Sequence, residues 1–371
     1  MKKISKFLTT MLVVPLVFGM TNTKDVSAAK KTVYFPTESV IKNYDEDGNV
    51  SSVRTNKSTY DKKGRLIKFV STDEDEDTTT DTYTYWKNGK IKTSKSVNVS
   101  EESSYTTETK YDKHGNITYQ MYLYESKTYD YIYKDITNTK NTYKNNKLVK
   151  QVSTSKNYST DYNEEGDLSL KLQGKGTSTT KYKYKGKLLK SSDSSYKNYQ
   201  LSADGEKFRI ITSGTSKEKR NIKKGVTRKD VSENVINEYN DEEEICNTTK
   251  YKYVNTFDVK GKPLKYESYQ NDELTGLTTR KYAKNKCLKV EDYKNYFEGN
   301  VTSECVTKYY TSGKYKGLVK EDVLTEDSET TKYTYKYKLN KNKKIQKESK
   351  YKGKKLMYET TYKYKKFKIK K

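Results

Sequence analysis

Polar and apolar residues alternate along most of this chain with a period of two, and short turns of recurrent wording interrupt the alternation. Tyr83 and Tyr85 fall on one side of an extended segment, Thr82 and Thr84 on the other. Tyr333, Tyr335 and Tyr337 repeat the arrangement with Thr334 and Lys336 opposite, and Leu168, Leu170 and Leu172 share a face opposed by Ser169 and Lys171. Successive side chains of a strand point to opposite faces, so this period predicts half-buried antiparallel strands.

The turns read Tyr-Asp-x-x-Gly-x followed by an aliphatic residue. Clean copies begin at Tyr44, Asp45 and Gly48, at Tyr60, Asp61 and Gly64, and at Tyr111, Asp112 and Gly115. Asp bonds back to nearby backbone and Gly accepts positive φ, so each copy predicts a hairpin turn whose aliphatic residue opens the return strand. Degenerate copies follow at Tyr85–Ile91, Tyr143–Leu148, Tyr162–Leu168, Tyr184–Leu188, Phe257–Lys262 and Tyr282–Leu288, and further ones lie near Tyr310, Tyr337 and Tyr351. Anchors at 44, 60, 85 and 111 are 16, 25 and 26 residues apart, a spacing that marks a repeat architecture. Polar loops such as 72–77, 100–104, 271–273 and 325–328 lie between the Tyr turns. Up-and-down connection would put the Gly turns on one edge of a sheet and these partly acidic loops on the other. Residues 201–238 lose the rhythm and read as drift within the sheet, with a hinge or an irregular loop pair as alternatives, and 230–239 could form a short helix.

The expected fold class is therefore all-β: an antiparallel hairpin meander, extended or coiling, that shelters a Tyr and Leu face and wets a Lys and Thr face. Apolar residues are only 31% and mean hydropathy is −1.13, values that alone suggest disorder. The 38 tyrosines oppose that, because Tyr favours strands and buries a large ring with a polar tip. Three prolines in the whole chain suit long uninterrupted pairing.

Lys2, Lys3 and Lys6 precede an apolar stretch from Phe7 to Met20, and Val26-Ser27-Ala28 offers small residues for cleavage, so 1–28 reads as an export signal. Residues 29–42 then form a lead-in and 43–371 the repeat domain, with no later segment apolar enough to span a bilayer as a helix. A formal charge of +26 points to polyanionic partners, foremost an anionic cell-wall polymer or polysaccharide. Export makes nucleic acid less natural. The Lys-, Asn- and Tyr-heavy composition suits an AT-rich Gram-positive bacterium. Of three cysteines, Cys246, Cys287 and Cys305, the last two are close enough to be a candidate disulfide, with three unbonded strand residues as the alternative.

The Tyr-Asp-x-x-Gly-[Arg/Asn]-[Leu/Ile/Val] wording at Tyr44–Val50, Tyr60–Leu66 and Tyr111–Ile117 resembles the YD repeats of Rhs-type bacterial surface proteins. The resemblance covers roughly Tyr44 to the C-terminus and implies an extended, coiling antiparallel sheet at a cell surface. Arg follows the Gly once, at Arg65, and no toxin segment is recognisable.

Little of the sequence points to catalysis. His114, the only histidine, sits in a turn with no nucleophile or carboxylate arranged against it. No nucleophile elbow, zinc helix or phosphate loop occurs, and no carboxylate pair stands out. Asp45, Asp47 and Asn49 resemble part of a calcium loop and Asp73–Asp77 is a carboxylate run, but both read better as solvated turns. Trp86, the sole tryptophan, and its neighbour Tyr85 are the candidate ligand-binding aromatics, able to stack on sugars beside lysines. The sequence therefore predicts a secreted or wall-associated, non-enzymatic binding or scaffold protein without cofactor. A carbohydrate-active enzyme or accessory subunit is the first alternative, and an Rhs-related secreted effector or its partner the second.

Overall fold

The computed structural model describes residues 31–162, 168–202 and 205–369. The expected export signal, 1–28, lies outside the described residues. Twenty-two strands follow one another and, among the described residues, there is no helix. The first eight are β1 (Lys31–Tyr44), β2 (Val50–Tyr60), β3 (Leu66–Asp73), β4 (Thr78–Tyr85), β5 (Ile91–Val99), β6 (Ser103–Tyr111), β7 (Ile117–Ser126) and β8 (Ile132–Lys144). Next come β9 (Lys147–Tyr162), β10 (Leu168–Lys185), β11 (Leu188–Leu201), β12 (Phe208–Lys223), β13 (Val226–Tyr239), β14 (Ile245–Phe257) and β15 (Pro263–Gln270). The chain ends with β16 (Glu273–Tyr282), β17 (Leu288–Phe297), β18 (Asn300–Tyr309), β19 (Val319–Glu326), β20 (Glu329–Leu339), β21 (Ile345–Lys352) and β22 (Lys355–Ile369).

Every strand pairs antiparallel with its neighbours in sequence, and β1 pairs with β22 from Lys31↔Ile369 to Asn43↔Tyr358. The meander is thus a closed barrel, where the sequence pattern left an extended or coiling sheet. The stretch expected as a lead-in, 29–42, supplies most of β1 and so half of the closing seam. Residues 230–239, where the sequence allowed a short helix, lie within β13, in line with the favoured reading of drift within the sheet. The physical reason is that Val231 and Val235 alternate with Ser232 and Asn234, and strands on both sides offer backbone partners.

The turn motif works mechanically as its wording suggests. Asp61 Oδ1 accepts the amides of Lys63 (2.8 Å) and Arg65 (2.9 Å), while Gly64, at φ 75°, donates its amide to the Asp61 carbonyl. Asp45, Asp112 and Asp258 repeat the pair of amide bonds. The anchor tyrosine sits at a register shift against the residue that opens the return strand, as in Tyr60↔Leu66, Tyr85↔Ile91 and Tyr111↔Ile117. Its hydroxyl then reaches the preceding hairpin. Tyr85 donates to the Leu66 carbonyl (2.5 Å), Tyr184 to Leu148 (2.9 Å) and Tyr282 to Pro263 (2.8 Å). The repeat is therefore a device for joining each hairpin to the one before it.

Burial is shallow everywhere. Val254 is the only buried hydrophobic residue among those described, and no side chain is fully enclosed. Strands approach closely only where they are hydrogen-bonded neighbours, two marginal pairs aside. With strands about 4.8 Å apart, 22 of them span a perimeter of roughly 105 Å before tilt, too wide for side chains to fill the interior.

The two faces divide the side chains unevenly. Ser94, Thr107, Tyr122 and Asp135 mark one face from β5 to β8; Lys95, Glu108, Met121 and Ile136 mark the other. Continued around the barrel, the first face carries most tyrosines with Ser, Thr, Asn and Gly, and the second carries most lysines. Gly176, Gly214 and Gly276 lie on the tyrosine face, where an added Cβ would come within 2.6 Å of neighbouring atoms. Along β20 the tyrosines Tyr333, Tyr335 and Tyr337 are half-buried while Lys332, Lys336 and Lys338 are exposed, so the tyrosine face is the sheltered, concave side and lines the interior. Aliphatic residues depart from expectation. Val70, Val97, Leu123 and Val323 share the lysine face, and Leu170 there is 45% exposed, so most aliphatic residues lie opposite the tyrosines, with Ile41, Ile236 and Leu324 as exceptions on the tyrosine face. Lysine stems are long enough to cover these small aliphatics while the ammonium stays in water.

The seam carries its own latch. Phe35 stacks on Tyr60 at 4.9 Å and meets Phe367 edge-on at 5.4 Å, and Lys363 pairs with Glu38 at 2.7 Å. Removing residues 355–371 takes away β22 and leaves β1 and β21 as long unpaired edges. The truncated chain should self-associate, read as a rise in light scattering at a concentration where the full chain scatters as a single species.

Candidate functional surface

Antiparallel succession sends odd-to-even connections to one end of the barrel and even-to-odd connections to the other. At the first end the described connections carry eighteen Asp or Glu side chains and three lysines. At the second they carry sixteen lysines, one arginine and three aspartates. The barrel thus has an acidic rim and a basic rim. The expected two-edged sheet is present, with exchanges: the Tyr44 turn, Asp45–Asn49, and the turn after Tyr351 lie on the acidic rim among the loops, and β9 ends there at Tyr162, while the other Tyr turns lie on the basic rim.

Each rim is held by bonds between successive turns. On the basic rim Asn88 Nδ2 donates to the Lys113 carbonyl (2.8 Å), Lys262 Nζ to Lys286 (2.5 Å) and Asn285 Nδ2 to Thr311 (2.5 Å). On the acidic rim Lys127 Nζ donates to the Ser100 carbonyl (2.7 Å) and its amide to Glu102 (2.8 Å). Carboxylates there feel one another. Burial, then the charges of Asp73, Asp75 and Glu101, raises the Asp77 carboxyl above its ordinary range, and Glu101 belongs to the next turn along the rim.

The sequence-predicted aromatics Tyr85 and Trp86 lie at the basic rim. Tyr85 bonds Leu66 and lies under the Arg65 guanidinium, 4.3 Å from its ring centroid. Trp86 donates its indole N–H to the Tyr111 carbonyl (3.1 Å), and Lys92 Nζ lies 5.1 Å from its ring. Both rings fasten neighbouring hairpins, and their outer edges remain half-exposed. His114 is exposed and stacks on Tyr143 at 4.1 Å. Elsewhere on the same rim, the longest described connection (310–318) and the turn after β20 form an open cleft of about 740 Å³. Tyr315, Tyr337, Lys314, Lys338 and Lys343 line it, and Lys314 Nζ lies 4.9 Å from the Tyr315 ring. Sequence reasoning missed this cleft, although the length of 310–318 against its neighbours is visible in the chain.

The outer wall holds further cations. A cross-strand row runs Lys150↔Lys181↔Asp193↔Lys217↔Glu233↔Lys252 from β9 to β14. Lysines also sit over outward tyrosines: Lys110 over Tyr119 (4.6 Å), Lys175 over Tyr199 (5.8 Å) and Lys336 over Tyr351 (4.6 Å). The inner face has charges of its own, including Asp81, Asp135, Glu218, Asp322 and Glu348. Neither face therefore presents the apolar band that a lipid-embedded barrel turns outward.

All three cysteines are free thiols, which corrects the candidate Cys287–Cys305 bridge. Cys305 stands opposite Tyr293, six residues along the chain from Cys287, or about 20 Å of extended strand. That is far beyond disulfide reach.

No protein-family model matches the chain, and no curated protein matches it. The resemblance to YD repeats accordingly rests on the turns themselves. Among solved structures the chain is similar to a porin-like protein from Bacteroides uniformis at 11% identity, covering 62% of this chain and 97% of that one with a TM-score of 0.23. It is also similar to the Photorhabdus luminescens Tc holotoxin pore at 8% identity, covering 87% of this chain and 26% of that one with a TM-score of 0.15.

The tyrosine lining makes the barrel sensitive to alkali. Burial foremost pushes Tyr83, Tyr309 and Tyr362 up to about 12, aided by Asp81 at Tyr83, by Glu291 and Asp322 at Tyr309, and by Glu348 at Tyr362. Unfolded phenols ionise near 10. The folded state holds these phenols neutral, so their stabilisation is complete below pH 10 and disappears as pH climbs from 10 towards 12. Tyrosinate absorbance and loss of strand circular dichroism should rise together in that window. A gradual titration centred on pH 10, with the strand signal intact, would contradict the assignment.

Proposed function

We propose that this is a non-enzymatic, surface-associated protein that holds anionic polymers, with polysaccharide bearing carboxylate or phosphate groups as the preferred class. The observation carrying the proposal is the concentration of lysine on the outward face. The two rims nearly cancel in formal charge, so the net excess in +26 resides chiefly on the strands. A wall of this kind contacts a long polyanion at many weak points, each exposed pair contributing under about 1 kcal/mol and screened by salt. The tyrosines beneath those lysines and the Tyr315–Tyr337 cleft supply flat apolar surface on which sugar rings stack. The YD-like turns fit the same reading, as connectors in a surface-displayed sheet.

Purified mature chain should be retained on immobilised anionic wall polysaccharide at low ionic strength and released as salt rises. Combining Lys150→Gln, Lys181→Gln, Lys217→Gln and Lys252→Gln should bring elution to lower salt while strand circular dichroism is unchanged. Flow-through of the unaltered protein at low ionic strength would remove the proposal.

A further inference from the structure

We infer that the barrel associates with a second copy of itself head to tail, the acidic rim of one seated on the basic rim of the next. Three observations converge on that partner. The rims are opposite in sign and nearly equal in magnitude, with eighteen carboxylates and three lysines against seventeen cations and three aspartates. They are also two ends of one closed sheet with the same number of strands, so their perimeters match by construction.

The third observation is apolar. The large hydrophobic side chains that remain exposed gather towards the acidic rim. Val50, Val99, Tyr129, Ile245, Phe297 and Val301 all lie there, with Tyr129 78% and Phe297 67% exposed. Val259 lies at the other end and Tyr293 at mid-strand. Exposed apolar groups ringed by charge mark a surface that another protein covers. The basic rim offers the counterpart, the open Tyr315–Tyr337 cleft flanked by Lys314 and Lys343. Such an interface joins different surfaces on the two copies, so it builds columns instead of closing as a two-fold dimer.

Net charge opposes the approach at long range, because both walls are positive. The walls repel most at low ionic strength. At about 0.1 M salt the Debye length is near 10 Å, which quiets the walls while touching rims still attract. Association should therefore peak at intermediate salt and fall at both extremes.

The test is sedimentation velocity of the purified mature chain across protein and salt concentration. One variant carries Asp75→Lys, Glu101→Lys and Glu242→Lys, which leaves the acidic end fifteen carboxylates against six lysines and so much less acidic. The other carries Lys63→Glu, Lys113→Glu and Lys284→Glu, which makes the basic end much less so. The unaltered chain should reach at least about twice the monomer mass at intermediate salt, and the first variant should associate clearly less. The second should associate less than the unaltered chain. An equimolar mixture should associate more than the first variant alone. A monomeric unaltered chain at every salt concentration, or association of the first variant as strong as the original, would overturn the inference. Strand circular dichroism confirms that each variant is folded. Retention of the acidic-rim variant on anionic polymer reports separately on the lysine wall.

Discussion

The backbone ladder closing between β1 and β22 is the constraint on which the rest depends. A barrel with one buried hydrophobic residue among those described has almost no core to hold it. Ordering a residue costs about 1–2 kcal/mol of backbone entropy, and one hydrogen bond returns a net of about 0.5–1.5 kcal/mol. That margin is thin, so each strand needs partners on both sides. In an open meander of this composition the two terminal strands would have one each. Closure removes both edges at once, and Phe35, Tyr60 and Phe367 gather where it happens.

Tyrosine suits such a sheet better than leucine does. A phenol shelters its ring against the neighbouring strand and still satisfies the backbone, as Tyr85, Tyr184 and Tyr282 do by bonding the carbonyl that opens the previous hairpin. Elsewhere the hydroxyl bonds an inward carboxylate, as in Tyr335 with Asp322 (2.6 Å) and Tyr358 with Glu348 (2.6 Å). A hollow interior stays wet, and these pairs tolerate water where an aliphatic lining would not. Most aliphatic residues lie instead on the outside, among the lysines.

Strands, turns and the role of Asp and Gly in each turn were legible in the sequence, because period and turn chemistry are local. Closure was not, because the pairing of Lys31 with Ile369 joins residues at opposite ends of the chain and nothing local distinguishes an edge strand from a seam. The short helix that 230–239 could have formed does not occur for a related reason: pairing to β12 and β14 outweighed the local signal. Trp86 and its neighbour Tyr85 were singled out by rarity and position, and the structure shows them fastening neighbouring hairpins, whereas the cleft at Tyr315 needed two turns brought together across β19 and β20. The rim charges were half visible. Acidic and basic turns alternate along the chain, but the Tyr44 turn shows that motif wording does not decide which rim a turn joins. Parity of the connection does.

Parity also explains how wall and rims can act without competing. A meander assigns every second turn to the same end, so sequence changes in alternate turns can charge each end independently of the strands between them. Because the rim charges nearly cancel, a head-to-tail contact consumes little of the positive excess, which stays on the outward lysine rows such as Lys150, Lys181, Lys217 and Lys252. Copies joined end to end would align those rows along one axis. A long polyanion bound to one wall then meets the next at high effective concentration, and weak contacts gain avidity without any new kind of contact. Bound polymer would in turn neutralise the walls whose repulsion opposes stacking, so the two proposed associations would reinforce each other.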